Sequence, residues 1–174
     1  MVLMETFDAI HTRRSIRKFL DKKVDDDTIK KILSAAMTAP SAMNEQPWQF
    51  VVILDKEVLA KVSTLSPYQG MAKDAAAAIL ICGDTSLENP KAKGFWVQDC
   101  SAAIQNMLLA MTDLGLGGVW CGIYPFQPIV ENYRNTFNLP ENIIPLALIP
   151  FGYPAEEAIR KDRYKDERVR YDGW

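Results

Sequence analysis

The spacing of apolar residues predicts a chain in which helices and strands are mixed. Apolar residues recur at helical spacing from Ile29 to Met37, directly behind the acidic run Asp25–Asp27, which supplies candidate N-caps. The longest predicted helix, Phe95 to Leu114, is apolar nearly all round after Gln105. Such a helix must be buried on all sides, in a central position or under a partner chain.

The remaining elements do not follow strict strand–helix alternation. Strands are predicted where β-branched and aromatic residues are dense, and shorter helices lie between them. The predicted strands are 48–54, 75–82, 119–124 and 143–151, and the shorter helices are 5–12, 58–65 and 128–137. This order predicts the α+β class with a layered sandwich, and not a doubly wound sheet.

Composition narrows the class of protein. The chain has 174 residues, 48% hydrophobic and 24% charged, which predicts one domain over 1–174 with a full core. The net charge of -2 argues against nucleic-acid binding. No apolar segment reaches the ~18 residues of a membrane span, and no secretory leader precedes the first helix, so we expect a cytoplasmic protein.

The three cysteines, Cys82, Cys100 and Cys121, show no metal-binding spacing, and His11 is the one histidine. A zinc or iron site is therefore not expected. Cys121 with His11 could suggest a thiol enzyme. Because the surroundings of Cys121 are apolar, a buried, unreactive thiol is the favoured interpretation.

Four cations and a hydroxyl fall within the basic segment, residues 13–18: Arg13, Arg14, Ser15, Arg17 and Lys18. Arginine forks match phosphate oxygens, and a serine hydroxyl adds a donor. A solvated helix end would explain the same residues equally well.

Two further segments favour ligand binding. The polar loop, residues 40–47, carries Ser41, Asn44 and Gln46 between two prolines that restrict its backbone. Glycines surround the strand at 119–124, and helix termination does not account for Gly122. A glycine inside a strand allows a ligand to approach the backbone closely.

Together these segments resemble the nitroreductase family of FMN-dependent oxidoreductases, over essentially the whole chain. The matches in order are Arg13-Arg14-Ser15-Ile16-Arg17, Pro40-Ser41-Ala42-Met43-Asn44-Glu45-Gln46-Pro47-Trp48, Asp99 through Trp120 as the long helix ending in Leu114-Gly115-Leu116-Gly117, Pro145 to Pro154, and Lys161-Asp162-Arg163. The resemblance implies a three-layer α-β-α sandwich with a mostly antiparallel, mixed sheet. It also implies an intertwined homodimer with FMN at the subunit interface, and a tail, about 155–174, that packs on the partner.

The resemblance assigns the parts of a tightly bound, non-covalent FMN site. Arg13, Arg14 and Ser15 would hold the phosphate and ribityl end, closed by Lys161 and Arg163, and Arg17 would reach the pyrimidine edge of the ring. The partner subunit would supply Pro40, Ser41, Ala42 and Asn44. Cys121, Gly122 and Ile123 would lie beside flavin N5, which carries the chemistry in place of a catalytic side chain.

The resemblance also implies ping-pong hydride transfer from NAD(P)H to an electron-poor acceptor such as a nitroaromatic or quinone. One position departs from the family pattern, because Gly70 falls where many members place a lysine against the flavin. Gln69 could replace its hydrogen bond but not its charge. The alternatives are a flavin reductase, dehydrogenase or dehalogenase on the same fold, or a non-catalytic FMN-binding or redox-sensing protein.

Overall fold

A five-stranded sheet forms the centre of the computed structural model, which describes residues 4–157, 159 and 162–174. The strands are β1 (Trp48–Ile53), β2 (Ala77–Asp84), β3 (Gly117–Gly118), β4 (Cys121–Gly122) and β5 (Ile143–Gly152). Their order is β1-β2-β5-β3, with β4 also paired to β5. Each of these pairings is antiparallel.

The helices cover both faces of this sheet. They are α1 (Thr6–Thr12), α2 (Asp26–Met37), α3 (Lys56–Val62), α4 (Trp96–Asp113) and α5 (Gln127–Phe137). Helix α2 begins where the sequence predicts, because the Asp25 carboxylate accepts a hydrogen bond from the Thr28 N–H.

The central strand β2 shows how the sheet separates two cores. Ala77, Ile79 and Ile81 face the core formed with α2 and α4, whereas Ala78, Leu80 and Cys82 face the core formed with α3 and α5. This alternation with both faces apolar is what a strand between two helical layers requires. The predicted three-layer α+β sandwich with an antiparallel sheet is therefore confirmed.

One predicted element was wrong in extent: of the strand expected over 119–124, only Cys121–Gly122 is a strand, and a gap separates it from the strand at Gly117–Gly118. Gly118 pairs with Phe151 and Cys121 with Leu148, so the register against β5 is continuous. Pro150 lies opposite the gap, and its carbonyl accepts from the Val119 N–H at 3.2 Å. Because proline has no N–H to return, the ladder breaks there into β3 and β4.

Among the described helices, none combines the length and the apolar character needed to cross a bilayer.

Candidate functional site

The basic segment is held against the sheet edge by its one apolar residue, Ile16. The Ile16 N–H donates to the Gly118 carbonyl at 3.1 Å, and Ser15 forms a parallel bridge with Gly118. The Ile16 side chain is buried, and it packs so closely on Gly117 that a Cβ there would lie 2.5 Å from Ile16 Cγ1. An extended backbone with Ile16 inward leaves Ser15 and Arg17 exposed at the surface.

Guanidinium groups crowd at the start of this segment. Arg13, Arg14 and Arg163 line a cavity of about 230 Å³, together with Asp162, whose Oδ1 accepts from the Tyr164 N–H. Burial lowers the pKa of Arg13, and the neighbouring charges of Arg14 and Arg163 lower it further. In the part of the chain that the structure describes, the recorded ion pairs are Lys30–Asp27 and Lys165–Glu167, so neither includes Arg13 or Arg163. A cation whose pKa is lowered by neighbouring cations in this way favours an anion nearby.

A second cavity, of about 240 Å³, continues along the segment and is lined by Arg14, Ser15, Glu156 and Arg163 among others. Glu156 anchors the backbone here, because its Oε1 accepts from the N–H groups of Arg17 at 2.6 Å and Lys18 at 3.2 Å. The hydrogen bond from the Arg17 N–H is the main cause that lowers the pKa of Glu156, and the one from Lys18 lowers it further.

A third cavity, the large cavity, has a volume of about 560 Å³. It is lined by Arg17 and by Cys121 and Gly122 of β4, with walls from Pro67, Tyr68, Gly70, Met71, Val119, Trp120 and Phe126. Burial raises the pKa of the Cys121 thiol to about 11, and the Arg17 charge opposes that rise. The Cys121 thiol therefore stays protonated at neutral pH, in agreement with the predicted unreactive cysteine.

Gly122 leaves open space in this cavity. A Cβ built on Gly122 would meet nothing within 4 Å, and its φ lies outside the left-handed region. Neither packing nor backbone conformation therefore requires glycine at this position within the described chain. By contrast, Gly117 is required by Ile16 and Gly83 by Trp96.

Gln69 does not contribute its side chain to the large cavity, although its neighbours line it. The side chain is fully buried, and the Tyr133 hydroxyl donates to its Oε1 at 2.7 Å. Its Nε2 has no partner among the described residues. Through its Oε1, Gln69 links the Pro67–Met71 wall to α5, and the hydrogen bond from Gln69 to a ligand stays a prediction.

Ile123 also faces inward. Its side chain is fully buried in the α3 and α5 core, and its N–H donates to the Leu146 carbonyl at 3.0 Å. Of the three residues predicted beside the ring, Cys121 and Gly122 line the cavity, whereas the Ile123 side chain lies in the core.

The polar loop lies apart from these cavities. Among the described residues that line the three cavities, Pro40, Ser41, Ala42 and Asn44 do not appear. Pro40 and Asn44 are exposed and Ser41 and Ala42 half-buried, so the loop presents a surface that this single chain does not cover. Lys161, the remaining predicted site residue, lies outside the described residues.

Sequence reasoning missed the aromatic walls of the large cavity. Tyr68 is 75% exposed and Phe126 61% exposed, although large aromatic side chains in a domain of this size are usually core. The position of Trp120, two residues before Gly122, was the available signal.

The chain is similar to known proteins over most of its length. The model of the family described as "Nitroreductase family" matches residues 10–66 and 63–153. A Methanothermobacter thermautotrophicus protein with the provisional name NADH dehydrogenase/NAD(P)H nitroreductase is 50% identical over 171 residues, covering 98% of this chain and 88% of that protein.

Two crystal structures are also similar. One, from Bacteroides thetaiotaomicron, carries the same provisional name and superposes with a TM-score of 0.92 at 40% identity, covering 97% of this chain and 98% of that chain. A Desulfovibrio desulfuricans nitroreductase solved in complex with FMN gives a TM-score of 0.83 at 30% identity, covering 98% of each chain. The motifs, the fold and these matches lead to one conclusion: the chain belongs to the nitroreductase family.

Proposed function

We propose that the protein is an FMN-dependent oxidoreductase that takes electrons from NAD(P)H and passes them to an electron-poor acceptor of the nitroaromatic or quinone type. Relatives named NAD(P)H nitroreductase and FMN reductase, and the FMN complex of a similar protein, support the cofactor and the reductant. The observation in this chain that carries the proposal is the open space at Gly122 in the large cavity.

The described residues fit FMN in two chemically distinct regions. Arg13, Arg14 and Arg163 crowd around a small cavity, where a phosphate dianion would relieve their mutual repulsion. The large cavity has aromatic and sulfur-containing walls, and a flat ring can lie against the bare backbone of Gly122. Arg14 and Ser15 line the second cavity, which shares Arg14 and Arg163 with the small one.

Each residue in this arrangement has a separate task. Arg13, Arg14 and Arg163 would hold the phosphate, and Ser15 would donate to the ribityl end. Arg17 lines the large cavity and would stabilise negative charge on the reduced ring. The N–H of Gly122, or of a neighbour on β4, would donate to the ring edge that reacts, and Lys161 would complete the phosphate site.

The site is completed by a second copy of the chain in this proposal. The polar loop of one subunit, with Pro40, Ser41, Ala42 and Asn44, would cover the flavin held by the other. Unburied apolar residues support an intertwined homodimer: Phe7 is 75% exposed, Tyr171 85% and Trp174 fully exposed. Sedimentation at micromolar concentration should give a dimer, and a stable monomer would contradict this part of the proposal.

Bound FMN would supply the redox chemistry, accepting a hydride from NAD(P)H and passing the electrons on in ping-pong order. The chain contributes binding, orientation and the Arg17 charge, so no acid–base dyad is needed. Steady-state rates at varied NAD(P)H and quinone test this order: ping-pong kinetics give parallel double-reciprocal lines. Intersecting lines would require both substrates to bind before either reacts.

The same assay separates the alternatives. Turnover with a nitroaromatic or a quinone supports the proposed acceptor class. Turnover only with free flavin as acceptor would identify a flavin reductase. FMN that binds but is reduced by neither NADH nor NADPH would identify a non-catalytic flavin-binding protein.

A further inference from the structure

We propose that Asp99, which lies outside all three cavities, holds the polar loop in the conformation that the flavin site requires. The inference rests on the proposed function, in which this loop covers the flavin of the other subunit. Asp99 is a positioning residue, since it acts through the backbone of the loop.

The contact is direct. Asp99 lies in the first turn of α4, and its Oδ1 accepts a hydrogen bond from the Ala42 N–H at 3.0 Å. Only 5% of the residue is exposed, and no described residue bonds to Oδ2. The two partners are 57 residues apart in sequence, so this bond fixes the loop to the helix that runs through the core.

The loop needs such an anchor because its backbone is unusual. Met43, Asn44 and Gln46 have φ values of 51°, 59° and 50°. These lie in the left-handed region that residues other than glycine rarely adopt. Residues in such conformations persist when surrounding contacts determine them. Within the loop, the Gln46 N–H donates to Ser41 Oγ at 3.0 Å and the Gln46 side-chain amide to Asn44 Oδ1 at 3.1 Å.

A second carboxylate secures the other side of the loop. Glu45 Oε1 accepts from the Asn89 N–H at 2.7 Å, which ties the loop to the segment that precedes α4. Glu45 Oε2, like Asp99 Oδ2, is buried without a partner among the described residues. The loop is thus attached to the body of the subunit at residues 42 and 45, and Met43 and Asn44 between them stay exposed.

The charge of Asp99 is not what stabilises the fold. Burial raises the pKa of this carboxyl, the hydrogen bond from Ala42 lowers it, and the nearby Glu45 and Glu88 charges raise it, so the net upward shift disfavours the charged form. Asp99 therefore acts through the acceptor atom, Oδ1, that it presents to the Ala42 N–H. An asparagine in the same place offers the same acceptor without the charge.

Three variants test this reasoning. Asp99→Ala removes the acceptor, and Asp99→Asn retains it. Asp113→Ala is the matched control, because Asp113 is an exposed carboxylate at the other end of α4.

Two readouts apply to each variant: amide hydrogen exchange of peptides covering 40–47, and the Kd for FMN from flavin fluorescence during titration of apoprotein. Asp99→Ala should exchange faster in the loop and bind FMN about tenfold or more weakly, because the competent loop conformation is less populated. Asp99→Asn and Asp113→Ala should match the wild type in both.

A failure of the Asp99 inference can be distinguished from a failure of the proposed function. Unchanged loop exchange in Asp99→Ala overturns the inference, as does unchanged FMN affinity when the wild type binds FMN. A loss in Asp99→Asn equal to that in Asp99→Ala overturns it too, since the acceptor would then not be what matters.

If the wild type binds no FMN, the proposed function fails, and the exchange data still decide whether Asp99 holds the loop. Should Asp99→Ala not fold, Asp99→Asn supplies the test. Its loop exchange and its FMN affinity must then equal those of the wild type, and a loss in either overturns the inference.

Discussion

Substitution of Gly122 separates flavin binding from folding. The ideal Cβ at this position meets nothing within 4 Å, and the backbone φ is one that any residue adopts. Gly122→Ala should therefore fold normally and gain about 0.4–1 kcal/mol of stability, because alanine loses less chain entropy than glycine. Gly122→Leu should also fold, since its side chain enters a cavity of about 560 Å³.

Flavin binding should respond in the opposite direction. A leucine side chain would occupy space proposed for the ring, and forced overlap of this kind costs about 1–3 kcal/mol. That range corresponds to FMN binding weakened roughly 5- to 150-fold. Fluorescence titration of apoprotein measures the Kd, and urea unfolding of the same samples measures stability.

Gly117→Ala is the matched control. Its Cβ would lie 2.5 Å from Ile16 Cγ1 and 2.6 Å from Ile16 Cβ, so this variant should lose about 1–3 kcal/mol of unfolding free energy. The reasoning is refuted if Gly122→Leu binds FMN as tightly as the wild type. It is also refuted if Gly122→Leu is destabilised as much as Gly117→Ala, because the space at Gly122 would then not be open.

Three other predictions follow from contacts in the structure. Arg13→Ala should bind FMN about 10- to 150-fold more weakly with its unfolding curve unchanged, since a charged hydrogen bond contributes about 1.5–3 kcal/mol. Exposed Lys18 gives the control Lys18→Ala, and equal FMN affinity of the two variants would count against the phosphate role. Tyr133→Phe removes the donor to the fully buried Gln69 Oε1, so urea unfolding should show a loss of about 1–3 kcal/mol; a loss near zero would mean that water replaces the hydroxyl. Burial raises the thiol pKa from the ordinary value of 9.0 to about 12 for Cys82 and Cys100 and about 11 for Cys121, so the neutral thiol is the favoured form in the folded protein. Its contribution to stability is fully present below pH 9.0 and is lost as pH rises from there through those higher values. A thiol reagent at pH 8 should therefore label the protein only after unfolding, and prompt labelling of the folded protein would contradict this.

The strand predicted over 75–82 was confirmed as β2, because its continuous apolar run suits a strand that is buried on both faces. The arrangement in three layers was implied by the resemblance to the family. The break between β3 and β4 was not predicted, because it depends on Pro150 in the neighbouring strand and not on the residues at the break.

The site divides in a similar way. The Arg13–Arg17 spacing and Gly122 predicted residues that line the cavities, since both signals depend on local residue types. The direction of the Gln69 side chain could not be predicted, because it depends on Tyr133, 64 residues away. The contact made by Asp99 could not be predicted for the same reason, since its partner lies in a loop that only the tertiary fold brings to α4.

The most direct test of the central claim is the visible absorption spectrum of the FMN-loaded protein before and after anaerobic addition of NADH or NADPH. We predict that the oxidised-flavin band bleaches with at least one nucleotide and returns when a quinone or nitroaromatic is added. A protein that takes up no FMN, or whose bound flavin stays oxidised with both nucleotides, would contradict it.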